Sequence, residues 1–446
     1  MTIPLTDFLH SLRYEQIPDE TLYFVKRCLL DLIGVAAAGS TTPLSNIIRQ
    51  HAVDHFGAGK KSAQLLFDAR MTSPVGAALA NATTIDSMDA HDGLKPTKGH
   101  VGCGVFPALL ALTQAENKID EREFLTQLLI GYEIGSRAGV ALHQTACDYH
   151  TSGAWVSIAC AAMGARSIGL DVQQTREAIG IAEYHGPRSQ MMRTIDSPTM
   201  VKDGSGWGAM AGVSAAYLAE SGYTGAPALT VEANDVADIW ADLGQRWYIK
   251  EQYFKPYPVC RWAQPPVVAI LALCSQHSLT VDMIESIEVI TFHEAKRLAT
   301  ALPETTEQAQ YSLPYAVAAA LVYGEIGPDQ VSEAVLSNPE IQRLSRSMIL
   351  REDDAYNAVF PARRIARVIV NTKRGECYES APTEARGDPE AHLSDIEIRE
   401  KFHRFAGPVI GVSRAKNIEA VIDDLGIDSS NDNQLDQLLD LITAKP

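Results

Sequence analysis

The sequence predicts a mainly α protein, with a large all-helical domain and a smaller inserted α+β lid domain. Apolar residues recur with helical spacing up to about residue 260, which favours packed helices over a sheet. Four prolines within residues 256–266 end this pattern, and segments rich in β-branched residues follow them. The length of 446 residues allows two or three domains.

Proline and glycine delimit the first long helix. Pro18 precedes an apolar-periodic run over 22–38, and Gly39 follows it, as expected at the two ends of a helix. Ala and Gly recur on the faces of the later helices, which predicts close packing of helix on helix. These later helices are predicted at 74–87, 105–115, 121–141, 153–168, 173–182 and 208–221.

Strand-like segments begin beyond the proline-rich connector. Residues 284–292 are rich in β-branched side chains, and residues 366–372 and 376–380 flank a glycine-containing turn at 373–375, which predicts a hairpin. An alanine-rich helix is predicted between these segments at 314–323. This part of the chain is therefore expected to form a separate α+β unit.

A helix returns near the C-terminus. Ser394 and Glu397 form the sequence signature of a capping box ahead of a helix over 398–406. We therefore assign residues 1–262 and 394–446 to the helical domain, and residues 263–393 to the lid.

Composition argues against several function classes. With 38 Lys+Arg against 55 Asp+Glu, a formal net charge of −17, the chain repels phosphate backbones and anionic lipid. We therefore expect no nucleic-acid partner and no membrane partner. The N-terminus does not resemble a signal peptide, and the seven cysteines form no CxxC pair, which predicts a cytoplasmic protein without a disulfide framework.

The densest group of polar residues lies between two predicted helices, over 89–102. It holds two acids, two lysines and two histidines, which is more than a surface turn needs, although a solvated connection remains the alternative. Asp89, His91 and His100 are acceptable metal ligands, but their spacing fixes no complete ligand set. We therefore predict no metal site here.

Three other polar segments flank helices or the connector. His150 precedes an alanine-rich helix, where a capping or packed imidazole is the simpler interpretation. Lys202 precedes a G-x-G-x-G pattern at 204–208; since no strand comes before it, an anion at the helix N-terminus is favoured over a dinucleotide. Lys255 and Arg261 bracket the connector, where they either reach an interdomain cleft or are ordinary surface charges.

Six motifs, in this order, resemble those of the MmgE/PrpD family along nearly the whole chain. They are residues 30–39, residues 77–102 with Gly99-His100, Gly131-Tyr132-Glu133 with Arg137, Tyr149-His150-Thr151, Lys202 with its glycine-rich helix, and Lys255-Pro256-Tyr257-Pro258-Val259-Cys260-Arg261. The resemblance implies a large helical domain with an α+β lid, catalysis without a cofactor, and a homodimer. It also implies dehydration of 2-methylcitrate, decarboxylation of cis-aconitate or epimerisation of iminodisuccinate, so the expected partner is a small polycarboxylate.

The resemblance further implies eight site residues, the first four catalytic and the last four in contact with substrate: Asp89, His100, His150, Lys202, Lys98, Lys255, Cys260 and Arg261. Cations stabilise the charge that develops when a proton leaves a carbon next to a carboxylate, and a histidine has a suitable pKa unaided. We expect His100 and Lys202 to act on opposite faces of that carbon. Asp89 would orient an imidazole, and His150 would bind substrate or relay a proton.

Two positions depart from the decarboxylase-like members of the family. Gly93 stands where they have a hydroxyl residue, and Cys260 stands where they have a histidine. The connector motif is more similar to the epimerase branch. We therefore predict first an epimerase of an iminodisuccinate-type substrate, and second a lyase, either a dehydratase or a decarboxylase. A non-catalytic polycarboxylate-binding protein and a metal-dependent hydrolase are the remaining alternatives.

Overall fold

The computed structural model describes residues 4–427 and 434–446; residues 1–3 and 428–433, which the predicted helical domain includes, lie outside the described residues. Helices dominate the described chain, which confirms the mainly α fold class. None of the helices in these ranges has both the length and the apolar character that a membrane span requires.

The helices before the connector account for most of the fold. They are α1 Pro4–Ser11, α2 Asp19–Gly39, α3 Pro43–His55, α4 Pro74–Asp86, α5 Gly102–Glu116, α6 Glu121–Thr145, α7 Gly153–Ile168, α8 Val172–His185, α9 Met192–Asp196, α10 Ser205–Glu220, α11 Leu229–Glu232 and α12 Ala237–Trp240. The later helices are α13 Gln264–His277, α14 His293–Lys296, α15 Thr306–Gln310, α16 Leu313–Tyr323, α17 Pro339–Ser347, α18 Asp354–Val359, α19 Asp395–Ile410, α20 Val412–Asp424 and α21 Gln434–Thr443.

The strands are short outside one sheet. They are β1 Ala63–Gln64, β2 Met71–Thr72, β3 Gly93–Leu94, β4 Gln252–Tyr253, β5 Ile284–Thr291, β6 Ile349–Glu352, β7 Ile365–Thr372, β8 Cys377–Glu379 and β9 Thr383–Glu384. The main sheet has the order β6-β5-β7-β8, with β9 also paired to β7. The antiparallel β7–β8 hairpin was predicted, whereas β6, which pairs parallel to β5, was not.

Small residues bring α7 and α10 into close contact, as the sequence predicted. A Cβ atom at Gly212 would lie 2.4 Å from the carbonyl oxygen of Ser157, and one at Gly164 would lie 2.6 Å from the Cβ of Ala216. Both distances are shorter than side chains tolerate, so glycine at these positions sets the spacing of the two helices.

The glycine-rich pattern at 204–208 is mostly helix rather than loop. We predicted a helix from residue 208, but α10 begins at Ser205, so Gly206 and Gly208 lie inside it. Cβ atoms there would lie 2.1 Å from Thr83 Oγ1 and 2.4 Å from the Gly153 carbonyl oxygen. These two glycines therefore serve helix packing, and an anion at the N-terminus of this helix stays a prediction.

The C-terminal helices return to the N-terminal part of the fold. Ser394 and Glu397 form the predicted capping box at the start of α19, and α19 packs against α2. A buried ion pair joins Lys401 of α19 to Asp31 of α2. The domain boundaries that we assigned stay predictions.

Candidate active site

The loop between α4 and α5 crosses the interior of the molecule. Its strand β3 pairs antiparallel with β4, so that Gly93 lies opposite Tyr253 just before the connector. Asp89 and His100 are buried in this loop rather than solvated. The interpretation of this loop as a solvated surface connection is therefore wrong, because two of its carboxylates and two of its imidazoles are buried in the folded protein.

Asp89 and Lys255 form a buried ion pair, with Lys255 Nζ donating a hydrogen bond to Asp89 Oδ1. Burial alone would raise the pKa of Asp89, but the charges of Lys255 and Lys202 hold it well below its ordinary value. Asp89 is therefore an anion at neutral pH. The connector thus delivers a cation to the loop, and the contact with substrate that we expected of Lys255 stays a prediction.

His100 is held with one ring nitrogen free. Its Nδ1 contacts the backbone carbonyl oxygen of Asp92, which can only accept a hydrogen bond, so the proton is on Nδ1. Its Nε2 lies 4.0 Å from Asp89 Oδ1 and 3.8 Å from Asp203 Oδ2, beyond hydrogen-bond distance. Burial, with nearby His91 and Lys255, lowers the pKa of His100 to about 4. At neutral pH this imidazole is an uncharged base with an available lone pair.

Lys202 is positioned by Gln310, a residue that the sequence analysis did not single out. Gln310 Oε1 accepts hydrogen bonds from Lys202 Nζ and from the backbone N–H of Asp89, both at 2.8 Å. Lys202 Nζ also lies 4.8 Å from the centre of the Tyr311 ring. One side chain at the end of α15 therefore sets the spacing between a loop carboxylate and an ammonium group.

Asp203 is a second carboxylate that the sequence analysis missed. It accepts a hydrogen bond of 2.9 Å from Ser152 Oγ, and the same hydroxyl accepts one of 3.0 Å from the backbone N–H of His100. Burial raises the pKa of Asp203 to about 6. Its position directly after Lys202 was the available signal, but nothing in one sequence links it to His100.

Cys260 lies in the same cluster as a neutral thiol. Burial, and then the charge of Asp89, raises its pKa to about 12. Its backbone N–H donates a hydrogen bond of 2.8 Å to the carbonyl oxygen of Gln310. Gln310 therefore ties the connector to both the loop and Lys202.

Lys98 and His150 lie at the edge of the cluster. Lys98 Nζ lies 3.7 Å from the centre of the Tyr149 ring, and burial together with Arg364 lowers its pKa to about 8. His150 Nδ1 lies 3.7 Å from Asp148 Oδ1. Within the described residues no hydrogen bond, ion pair or ring contact joins His150 to His100, so its catalytic role stays a prediction.

Arg261 is buried and engaged by the protein itself. Its guanidinium donates hydrogen bonds to Asp388 Oδ1 at 2.6 Å, to Gln264 Oε1 at 2.9 Å and to the carbonyl oxygen of Arg386 at 2.9 Å. The contact with substrate that we expected of Arg261 stays a prediction.

The spacing of three side chains satisfies one requirement of a metal site. Asp89, His91 and His100 each offer one ligand atom, and these atoms lie within 4.8 Å of one another. The Lys255 ammonium already contacts Asp89, however, and burial with Lys255 lowers the pKa of His91 to about 3. Because the cluster already disfavours positive charge on its imidazoles, it is better suited to an anionic ligand than to a divalent cation.

Gly93 leaves no room for a side chain. A Cβ atom at Gly93 would lie 2.5 Å from the Tyr253 hydroxyl oxygen and 2.8 Å from His100 Nδ1. The aromatic ring of Tyr253 therefore occupies the space that a hydroxyl residue at position 93 would need. The packing of Tyr253 and His100 therefore requires glycine at position 93, where the decarboxylase-like members have a hydroxyl residue.

Comparison with known proteins agrees with this architecture. A model of the MmgE/PrpD N-terminal domain matches residues 4–242, and one of the C-terminal domain matches residues 257–426. The chain is 24% identical to the cis-aconitate decarboxylase-like protein oryM of Aspergillus oryzae, over 100% of this chain and 98% of that protein. It is 22% identical to the cis-aconitate decarboxylase of Mus musculus (95% and 90% covered) and 23% identical to that of Homo sapiens (94% and 90% covered). The chain therefore belongs to the MmgE/PrpD family of enzymes.

Proposed function

We propose that this protein is an acid–base enzyme that removes a proton from a carbon next to a carboxylate of a small polycarboxylate. The observation that carries the proposal is the state of His100: an uncharged, buried imidazole whose free Nε2 lies between two carboxylates and close to two lysines. Such a group is unprotonated at neutral pH and therefore available as a base, although its lowered pKa makes it a weaker base than an exposed histidine, and the charges around it are set in advance.

His100 Nε2 would take the proton from carbon. The imidazolium that forms would face Asp89 and Asp203, whose carboxylates stabilise it. The electrons of the broken C–H bond pass to the adjacent carboxylate, and Lys202 and Lys255 offset this added charge. A single preorganised donor of this kind is worth roughly 10²–10³ in rate.

Epimerisation is completed when Lys202 gives a proton to the opposite face of the same carbon. His100 then loses its added proton to solvent, and Lys202 regains a proton from solvent. The product therefore has the same formula as the substrate. Gly93 and Cys260, which depart from the decarboxylase-like pattern, support this outcome.

A lyase reaction is the second candidate, and the names of the relatives favour it. The cis-aconitate decarboxylases of mouse and human match nearly the whole chain. In a decarboxylation the carbon–carboxylate bond breaks instead, and a protonated group of the same cluster gives a proton to the carbanion. In a dehydration a second group protonates the departing hydroxyl.

Incubation of single stereoisomers of iminodisuccinate in D₂O, followed by proton NMR, distinguishes these reactions. An epimerase is expected to introduce deuterium at the α-carbon with inversion and without alkene signals. An alkene from 2-methylcitrate, or CO₂ release from cis-aconitate, would establish a lyase instead. Tight binding of polycarboxylates without any exchange would overturn the catalytic proposal in favour of a binding protein.

A further inference from the structure

Arg364 is a buried cation whose guanidinium makes no hydrogen bond or ion pair within the described part of the chain. It lies directly before β7 and is 2% exposed. None of its three guanidinium nitrogens, Nε, Nη1 and Nη2, has a hydrogen-bond partner within residues 4–427 and 434–446. Removing an ion from water is costly unless it is paired, and buried polar groups are rarely left unsatisfied. The arrangement calls for an anion that the chain itself does not supply.

The neighbouring Arg261 shows what a satisfied guanidinium looks like at this place. Both arginines lie against Tyr253, with Cζ atoms 4.9 Å (Arg261) and 5.1 Å (Arg364) from the ring centre. Asp388 accepts one hydrogen bond from Arg261, and it also forms an ion pair with Lys95 at 3.1 Å. The nearby carboxylate is therefore already used, and Arg364 keeps all of its donors.

Arg364 lies close to the acid–base cluster. The Tyr253 ring that it contacts is 6.3 Å, centre to centre, from the His100 ring. The ammonium group of Lys98, whose pKa Arg364 helps to lower, also makes no hydrogen bond or ion pair among the described residues. Within the described residues, two cations near the catalytic loop thus have no ion-pair partner.

We propose that Arg364 binds a second carboxylate of the substrate, the one remote from the carbon that His100 deprotonates. A guanidinium fork matches a carboxylate bidentately, which fixes both the position and the orientation of the bound molecule. This inference rests on the proposed function, and it narrows the substrate to molecules with at least two carboxylates. The two ends of the substrate would then be held by different parts of the chain, with the loop at one end and the first residue before β7 at the other.

The stability of an Arg364 variant distinguishes a ligand-binding arginine from one that has only a structural role and is held by stacking on Tyr253. If Arg364 awaits a ligand, Arg364→Met removes an unpaired buried charge, and the ligand-free variant should melt at the same temperature as the wild type or higher. A structural arginine should leave a less stable protein when it is removed. Thermal unfolding without ligand separates the two cases.

Binding measured by calorimetry provides the direct test, with tricarballylate as the probe. Arg364→Met should weaken its affinity about 100-fold, since one partner of a buried charge pair is lost. Butyrate, whose only carboxylate would lie at Lys202 and Lys255, should bind the wild type and the variant almost equally. Arg364→Lys should fall between, and Arg363→Gln, which changes an exposed arginine paired with Glu384, is the matched control that should change nothing.

The inference is overturned if tricarballylate binds Arg364→Met as tightly as the wild type. It is overturned equally if the variant loses the same factor for butyrate, or if the wild type binds no polycarboxylate. These binding measurements do not require the protein to catalyse a reaction. Arg364-dependent binding without deuterium exchange would uphold the inference while refuting the proposed function, and exchange without Arg364-dependent binding would do the reverse.

Discussion

At the scale of single residues, the site is defined by one hydrogen bond made by His100 and by two carboxylates that lie just beyond hydrogen-bond distance from it. The Asp92 carbonyl oxygen fixes the proton of His100 on Nδ1, and the carboxylates of Asp89 and Asp203 stop short of Nε2. A direct hydrogen bond to either carboxylate would have favoured the charged imidazole. The observed spacing keeps the base neutral before the reaction and stabilises it afterwards.

The pH dependence of kcat/KM follows from these charges. Asp203, with a pKa raised to about 6, is an anion above that pH and neutral below it, while His100, with a pKa of about 4, is still an available base at pH 5. As pH falls through about 6, the imidazolium loses one stabilising carboxylate, so kcat/KM should decline. Asp203→Asn should lower the plateau and move the acid limb to about pH 4.

Asp148→Asn is the control for this pH profile, because it removes a carboxylate that faces His150 rather than His100. Its profile should match that of the wild type. An acid limb near pH 6 that persists unchanged in Asp203→Asn would contradict the role given to Asp203.

At the scale of elements, the catalytic loop is held from several sides. Gln310 of α15 binds the backbone of Asp89, strand β4 pairs with β3, and Lys401 of α19 donates a hydrogen bond of 2.6 Å to the carbonyl oxygen of Ala90. Helices distant in sequence therefore fix a short stretch of irregular chain. This is the arrangement that precise positioning of side chains requires.

Lys401→Met tests this anchoring. It would leave Asp31, the other partner of Lys401, buried without its cation, which costs roughly 3–5 kcal/mol of unfolding free energy. The double variant Lys401→Met/Asp31→Leu should recover most of that stability in urea denaturation. Its kcat should stay low, because the Ala90 carbonyl oxygen still lacks its donor. Full activity in the double variant would show that α19 does not position the loop.

Many of the helices and strands could be predicted from the sequence, and there are physical reasons why the other features were missed. Proline, glycine and capping residues act locally, so α2, the β7–β8 hairpin and the capping box of α19 were found. Parallel pairing of β6 is decided by a distant partner. Gln310, Asp203 and Arg364 become site residues only because the fold brings separated segments together. Apart from the position of Asp203 directly after Lys202, none of them carries a local signal.

At the scale of the whole molecule, the cluster is closed to solvent. Lys255, Asp89, Lys202 and His100 are exposed by 0%, 2%, 3% and 6%. A dry site strengthens every charge interaction within it, but the substrate must first enter. We therefore expect the lid to open about the 256–266 connector. The homodimer implied by the family resemblance stays a prediction.

Hydrogen exchange followed by mass spectrometry can detect this opening. Peptides covering 252–266 should exchange more slowly in the presence of tricarballylate, because a bound polycarboxylate favours the closed form. Peptides from α20 should be unaffected and serve as the control. Equal exchange of the connector with and without ligand would argue against opening at this place.

The central claim is that His100 Nε2 takes the proton from carbon. Its most direct test is deuterium incorporation in D₂O by His100→Gln, using the polycarboxylate that the wild type exchanges fastest. The variant keeps a polar side chain but has no base, so exchange should fall by about 10²–10⁴-fold. His10→Gln, which removes an imidazole that lies outside the cluster and is hydrogen-bonded to Thr175 Oγ1 at 3.0 Å, is the matched control and should exchange at the wild-type rate. Exchange by His100→Gln at the wild-type rate would contradict the account.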